Sequence, residues 1–200
     1  YEARRGWTDD REEWIRMGME FAERAIKLDP KDTLGYMQLG NLYQLAGDHD
    51  RAIELREKAV EIAPNDFQAN WGLGTALYRA GRIQEGVESI KRAQRLAPRH
   101  PVSLLWGLQE GQFLAGHFED SIETGKHAIA RKPDRDFPHI LLVAAYGALG
   151  RDEDAQAEVA EVLKINPAFK VSTFRRSRNY KNEADLDPLS TLLLKAGLPN

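Results

Sequence analysis

One stretch of the chain sets the architecture: residues 36–64 read YMQLGNLYQLAGDHDRAIELREKAVEIAP. Apolar residues in its first half recur at the i, i+3 and i+7 positions of one helical face, and these are Tyr36, Leu39 and Tyr43. The same period continues after Gly47. Glycine can end a helix in the left-handed conformation, and Pro64 has no amide with which to extend one. The stretch therefore predicts two helices joined by a tight turn.

The same pattern of helix-ending residues recurs along the chain every 34 or 35 residues. Prolines close successive units at Pro30, Pro64, Pro98, Pro133 and Pro167. A glycine lies midway in each complete unit, at Gly47, Gly81, Gly116 and Gly150. Each unit is thus predicted to be a helix–turn–helix hairpin. A single hairpin cannot bury its apolar face alone, so the units must stack on their neighbours.

The units resemble the tetratricopeptide repeat (TPR) family, whose pattern places an aromatic residue, Leu-Gly, Tyr, small residues and a closing Pro at fixed positions. The first unit matches at Tyr36, Leu39, Gly40, Tyr43, Ala52, Ala59 and Pro64. The resemblance implies an all-α fold: a right-handed α-solenoid of about four hairpins with an N-terminal helix and a short two-helix C-terminal cap. The predicted divisions are 1–32 for the N-terminal helix, 33–66, 67–100, 101–135 and 136–167 for the repeats, and 168–200 for the cap.

Several positions depart from the pattern. Arg56 and Gly125 stand where it has a large apolar residue, so we expect looser packing there. Phe137 precedes a proline and is biased away from the α region, which predicts a short first helix in repeat four that starts at Pro138. The N-terminal helix is predicted over about 10–28. Its predicted inner stripe is Met17, Phe21, Ala25 and Leu28.

After Pro167 the sequence predicts two short helices, over about 169–178 and 188–196. Asp187 and Pro188 suit a helix start and Gly197 suits a helix end. We expect this segment to seal the exposed face of repeat four. The alternative is a tail that docks elsewhere, including in the groove of another copy.

Composition excludes several classes of protein. The chain has 200 residues, a formal net charge of −3 and no cysteine, so thiolate metal sites and cysteine nucleophiles are excluded. No apolar run approaches the ~18 residues that span a bilayer. The histidines are scattered, and Gly72-x-Gly74 follows no strand, which favours close helix packing over a phosphate loop. We expect no catalytic site, metal, cofactor or nucleic-acid partner, and a cytoplasmic location.

The TPR resemblance also implies which positions face the concave groove. In this sequence the candidate partner-binding residues are Met37, Asn41, Trp71, Thr75, Tyr78, Trp106, Glu110, Phe113 and Ile140. Large apolar anchors of this kind dominate protein interfaces, so the groove is predicted to bind a protein or peptide segment. The alternative is that the tryptophans pack between hairpins as core. A chaperone-tail clamp is not expected, because only Asn41 agrees with the clamp pattern.

A run from Val162 to Asn182 carries basic residues and no acid. The candidates for a basic contact are Lys170, Arg175, Arg176 and Arg178. The simplest interpretation is a solvated cap with an anion-tolerant face. The alternatives are contact with an acidic partner or domain, and contact with nucleic acid or anionic lipid.

The C-terminal residues carry a second resemblance. Residues 179–185 and 192–199 are similar to the ends of TPR regions fused to bacterial class III adenylate/guanylate cyclases, with Asn179 where those have a proline. The resemblance, together with a start at Tyr1, implies a regulatory C-terminal module cut from a multidomain signalling protein. The predicted function is thus non-catalytic binding of a partner segment in the groove. The alternative is a self-association scaffold that oligomerises an attached enzyme.

Overall fold

The computed structural model describes residues 11–200, and in this part of the chain the regular structure is entirely helical. Four helix pairs follow a single leading helix. The α-helices are α1 (Arg11–Leu28), α2 (Thr33–Leu45), α3 (His49–Ile62), α4 (Phe67–Arg79), α5 (Ile83–Leu96), α6 (Val102–Leu114), α7 (Phe118–Arg131), α8 (Asp136–Ala148), α9 (Asp152–Ile165), α10 (Val171–Arg176) and α11 (Asp187–Lys195). A short 3₁₀ helix, Glu183–Leu186, precedes α11. No helix of the described residues is long and apolar enough to cross a membrane.

Each hairpin turn is made by the glycine that the sequence predicts. Gly47 has a φ of +89°, and the turn glycines of the other hairpins are also left-handed. The amide of Asp48 donates to the carbonyl of Tyr43 across this turn, at 2.9 Å. A side chain in the left-handed conformation would be strained, so glycine at this position allows α2 to stop and α3 to begin within a few residues.

The helices pack in sequence as a solenoid. Each pair forms a hairpin (α2–α3, α4–α5, α6–α7 and α8–α9), and each second helix packs on the first helix of the next pair. Successive first helices also contact one another, so α2, α4, α6 and α8 form one continuous wall. The predicted α-solenoid of four hairpins is confirmed.

Close helix packing explains the glycines of α4 and α5. A Cβ at Gly74 would lie 2.5 Å from Cγ1 of Ile90 and 2.6 Å from the carbonyl oxygen of Gly86. Neither contact is sterically possible without moving a helix. The interpretation of Gly72-x-Gly74 as a packing motif is therefore confirmed at Gly74.

The looser packing expected at Arg56 and Gly125 is wrong, because polar side chains fill both places. Next to Gly125 the space is taken by Gln109, whose Nε2 donates to the carbonyl of Pro138 at 3.0 Å. Arg56 is itself buried and lies against Gly40, where a Cβ would come within 3.0 Å of its Cγ.

The predictions for α8 and α1 need correction. The first helix of repeat four starts at Asp136 and is 13 residues long, the same length as α2, α4 and α6. Pro138 lies in its first turn, where the missing amide has no intrahelical acceptor in any case. In α1 the buried residues are Ile15 and Ala22, whereas Met17, Phe21 and Leu28 are exposed. The predicted stripe was therefore on the wrong face of α1.

The C-terminal segment folds back on repeat four. Helix α11 packs against α8, with Leu189 and Leu193 fully buried. The side chain of Gln156 on α9 donates to the carbonyl of Ala196 at 2.7 Å. The predicted helix over 169–178 is shorter than expected and ends at Arg176, and the chain then runs without helix to the 3₁₀ turn.

Candidate partner-binding groove

The segment between α10 and the 3₁₀ helix crosses the wall of first helices. We call residues 178–182 the strap. The side-chain amide of Asn179 donates to the carbonyl of Gln44 on α2, and the backbone amide of Lys181 donates to the carbonyl of Arg79 on α4, at 2.9 Å. Arg178 reaches the remaining two first helices. The strap therefore contacts the first helix of all four repeats.

Arg178 joins the strap to α6 and α8. Its Nη1 lies 3.5 Å from Oε1 of Glu110, a fully buried carboxylate on α6. Its guanidinium carbon lies 4.4 Å from the ring centre of Phe137 on α8 and 4.8 Å from that of Phe174 on α10. Cation–π contacts of this kind strengthen when water is excluded.

Tyr180 is the buried anchor of the strap. Its side chain is only 5% exposed, and its ring centre lies 6.3 Å from that of Tyr78. The hydroxyl of Tyr78 donates to Oε2 of Glu110 at 2.8 Å. Burial, and then the charge of Glu110, raises the pKa of Tyr78 and of Tyr180 well above the ordinary tyrosine value. Both phenols are therefore neutral in the folded protein.

Lys181 ties the strap to repeat one. Its Nζ lies 2.7 and 2.8 Å from the two carboxylate oxygens of Asp50 on α3. This hydrogen bond, and then the charge of Lys181, lowers the pKa of Asp50 below the usual carboxyl range. The neighbouring His49 is buried, and its pKa is lowered first by burial and then by the charges of Lys181 and Arg79. The end of the strap is thus held by a charge pair that lies near a neutral histidine.

Beside the strap the groove stays open between α2 and α4. A cavity of about 300 Å³ lies there. Four of the sequence-predicted residues line it: Met37, Asn41, Trp71 and Thr75. The indole of Trp71 is half-buried and packs on Gly107 of α6, where a Cβ would lie 3.1 Å from its Nε1. Trp71 therefore forms both the floor of the cavity and a contact between repeats two and three.

The other predicted groove residues are not together in the open cavity. Tyr78 and Glu110 are buried beside the strap. Trp106 is half-buried and packs edge-on against Phe137, with ring centres 6.5 Å apart. Phe113 is buried inside the α6–α7 hairpin against Phe118, and Ile140 is only 2% exposed in the core beside α10. Phe113 and Ile140 are therefore core residues in this structure, because the hairpin partner and the C-terminal segment cover them.

The predicted basic residues do not form one patch either. Only Arg178 enters the groove. Arg175 pairs with Asp187 at 2.5 Å and donates to the carbonyl of Glu183 at 2.8 Å, so it holds the cap together. Lys170 and Arg176 are exposed. Among residues 11–200 no group of His, Asp or Glu is arranged to hold a metal ion.

Two features of the groove were missed by sequence reasoning. The strap has no helical period, and the sequence pointed to it only through the basic run that ends at Asn182 and the resemblance at residues 179–185. The cations Arg56 and Arg79, which also line the cavity, were not recognised as groove residues. Arg56 lies on a second helix, at a position where the repeat pattern has an apolar residue.

Comparison with known proteins agrees with the helical-repeat fold. The sequence model of the tetratricopeptide repeat family matches residues 37–101. The fold is a TPR solenoid. The match spans α2 to α5 with the turn before α6, which is the part of the chain that encloses the open cavity. Comparison with curated protein sequences finds no relative.

Solved structures extend the TPR likeness to most of the chain. The pilus biogenesis factor PilW is similar over 93% of this chain and 84% of its own, at 19% identity and a TM-score of 0.75. MamA covers 79% of this chain and 92% of its own, at 21% identity and a TM-score of 0.68. YrrB, described as a TPR protein with an unusual peptide-binding site, covers 89% and 98%, at 17% identity and a TM-score of 0.65. Identities this low show a shared fold.

Proposed function

We propose that this TPR solenoid is a non-catalytic module that binds an extended segment of a partner protein in its groove. One observation carries the proposal: the wall of first helices already holds an extended segment, the strap. It does so with a backbone hydrogen bond to Arg79, a buried aromatic side chain and paired charges. The TPR protein YrrB is described as having a peptide-binding site, which favours the same use of the fold here.

The partner segment would lie in the open part of the groove, along the edge of the strap. Met37 and Trp71 offer apolar surface there, while Asn41 and Thr75 offer hydrogen-bonding groups. Burial of a side chain on an indole supplies affinity, and polar groups fix the register of an extended peptide.

The test uses the full chain and peptides selected from a random display library. Trp71→Ala should weaken the best selected peptides at least tenfold, because the indole forms the cavity floor. The matched control is Trp14→Ala, which removes an indole that is 45% exposed on α1, outside the groove. Circular dichroism checks that both variants stay helical. Equal affinities for wild type and Trp71→Ala would refute the groove assignment.

The residues of the second sequence resemblance support a finer proposal: a regulatory role, in the cytoplasm, within a cyclase-like signalling protein. The phrase at residues 179–185 includes most of the strap, so the resemblance falls on a part of the chain that contacts the groove. The measurement is cyclase activity of the parent protein with and without Trp71→Ala. A parent protein without a cyclase domain overturns this finer proposal and leaves groove binding untouched.

Self-association is a second candidate function, through an apolar surface formed by α1 and α2. Large apolar side chains are exposed there around a cavity of about 720 Å³, among them Trp14, Phe21 and Leu34. Clusters of exposed apolar side chains commonly mark interfaces. Light scattering at increasing concentration tests it. Phe21→Ser should abolish any dimer, whereas Leu194→Ser, an exposed leucine on α11, should not. A monomer at every concentration rejects this candidate.

A further inference from the structure

The cavity between α2 and α4 contains a buried cation that has no counter-ion among the described residues. Arg56 is 4% exposed. Its Nη1 donates to the carbonyl of Gly72 and its Nη2 to Oδ1 of Asn41, and both acceptors are neutral. No carboxylate of residues 11–200 lies within ion-pair distance of its guanidinium. An uncompensated charge at this depth is costly to the folded state.

A second guanidinium borders the same cavity. The nearest carboxylate to Arg79 is Glu110, whose Oε2 lies 4.0 Å from Nη2. Glu110 also pairs with Arg178. Arg79 and Arg178 therefore share one carboxylate and Arg56 has none among the described residues, while the remaining pair in the groove, Lys181 with Asp50, is balanced. This part of the groove has an excess of positive charge although the whole chain has a net charge of −3.

Three side chains that line the cavity carry buried hydrogen-bond donors without an acceptor in the described part of the chain. Nε of Arg56, Nε of Arg79 and Nε2 of Gln44 are buried and have no acceptor among residues 11–200. All three side chains line the cavity, and no Asp or Glu lines it. Buried donors without partners are uncommon in folded proteins and need an explanation.

Burial, and then the charge of Arg79, lowers the pKa of Arg56 to about 10, so the site favours an anion.

We propose that this cavity is a carboxylate-binding site for the partner segment, in which Arg56 and Arg79 hold the carboxylate. Guanidinium groups match the planar, two-oxygen geometry of a carboxylate. The strap cannot supply the group, because no acid occurs between Val162 and Asn182. Trp71 and Met37 also line this cavity and are apolar. We therefore expect the partner's carboxylate to lie next to an apolar side chain of the partner.

This site differs from the clamp that TPR domains use for chaperone tails. The clamp pattern is absent from this chain apart from Asn41. Arg56 lies on the second helix of its hairpin, and it reaches the groove because Gly40 and Gly72 leave room for its side chain. The inference rests on the proposed groove function and names the chemistry of its partner.

The experiment titrates the full chain with N-acetyl-L-leucine, its amide N-acetyl-L-leucinamide, and the α-amide of N-acetyl-L-glutamate. The readout is the NMR signal of the arginine Nε–H groups, with that of Arg56 assigned from its loss in Arg56→Met. We expect the acids to shift the Arg56 signal saturably and to bind at least tenfold more tightly than leucinamide. The leucine and glutamate acids distinguish a C-terminal carboxylate from an acidic side chain. Equal binding of acid and amide overturns the proposal.

Variants complete the test. Arg56→Met should reduce acid binding at least tenfold, followed through the remaining Arg79 signal. Arg92→Met removes an exposed guanidinium from α5 and should leave binding unchanged. Arg56→Lys keeps the charge and serves as the test variant if Arg56→Met does not fold. It should bind acids several-fold more weakly than wild type, because lysine lacks the planar pair of donors. Unchanged acid binding in both Arg56 variants overturns the proposal. Library peptides that bind through Trp71 without any acid preference would refute this site and leave the groove function standing.

Discussion

The backbone amide of Lys181 donates a hydrogen bond to the carbonyl oxygen of Arg79, at an N···O distance of 2.9 Å. Arg79 is the last residue of α4, so this carbonyl has no acceptor role within its own helix. The strap therefore binds to the free C-terminal end of α4. The side chain of Arg79 also lines the cavity beside the strap.

Tyr180 is predicted to contribute most of the strap's stability. Tyr180→Ala removes a buried ring and should lower the free energy of unfolding by about 3 kcal/mol. Tyr180→Phe should be neutral or slightly stabilising, because the buried hydroxyl has no hydrogen-bond partner among residues 11–200. Urea denaturation of both variants measures the difference. A large loss in Tyr180→Phe would mean that the hydroxyl has a partner in solution.

Glu110 is predicted to be indispensable to the fold. Glu110→Gln leaves the guanidinium groups of Arg79 and Arg178 without a buried counter-charge, and this should cost about 3–5 kcal/mol. The control is Glu161→Gln, which removes a largely exposed carboxylate paired with Lys164 and should cost less than about 0.5 kcal/mol. Thermal melts of the two variants give the comparison. Similar melting temperatures would show that the buried charges are solvated.

Replacing Arg56 by methionine is predicted to stabilise the protein in carboxylate-free buffer. Methionine restores an apolar residue to this second-helix position and removes an unpaired buried charge, at the cost of two hydrogen bonds. We expect a gain of about 1 kcal/mol, or a rise in Tm of about 2–4 °C for a chain of this length. Differential scanning calorimetry checks it. A variant less stable than wild type would mean that the two hydrogen bonds outweigh the buried charge.

Two glycines of α4 should respond oppositely to alanine. At Gly74 the new Cβ would meet Ile90 and the backbone of Gly86, so Gly74→Ala should cost about 2 kcal/mol or more. At Gly72 its nearest contact would be Nη1 of Arg56 at 3.7 Å, an ordinary van der Waals distance, so Gly72→Ala should gain about 0.5–1 kcal/mol from helix propensity. Chemical denaturation of the two variants decides between them.

The pH dependence of stability should report the environment of His49. The pKa of His49 in the folded protein is lowered from the ordinary value of about 6.5, by burial first and by Lys181 and Arg79 next. As pH falls through 6.5, the unfolded chain binds a proton that folded His49 does not, so this contribution to stability is lost toward acid pH. His49→Gln should flatten the fall between pH 7 and pH 5.5. In an NMR titration, Lys181→Met should raise the pKa of His49.

Much of the fold was predictable because its signals are local. A glycine in the left-handed conformation and a proline at the end of each unit determine where helices stop, and both are visible within a few residues. The predictions failed where the buried face of a helix depends on the helix that packs against it. In α1 the apolar residues allow two stripes, and contact with α2 selects the one through Ile15 and Ala22. Proline in a first helical turn is compatible with helix, which the prediction for α8 overlooked.

The groove was only partly predictable. Position within a repeat indicates the side of the wall on which Trp71 and Tyr78 lie, but it does not indicate what covers them. Phe113 and Ile140 are covered by later elements. The strap pairs residues more than 130 positions apart, such as Asn179 with Gln44, and no sequence period encodes such contacts. From the sequence alone, a buried arginine such as Arg56 looks like a departure from the repeat pattern. Its role becomes visible only when its neighbours in the structure are known.

The strap also changes how this solenoid should unfold. In an open array of repeats, each unit contacts only its neighbours, and the ends fray independently. Contacts such as Lys181 with Asp50 join the segment after α10 to the first hairpin, so this hairpin cannot unfold without breaking contacts of the strap. We therefore expect the four hairpins and the strap to unfold in a single cooperative transition. Because these contacts are the most distant in sequence, they are expected to form last during folding.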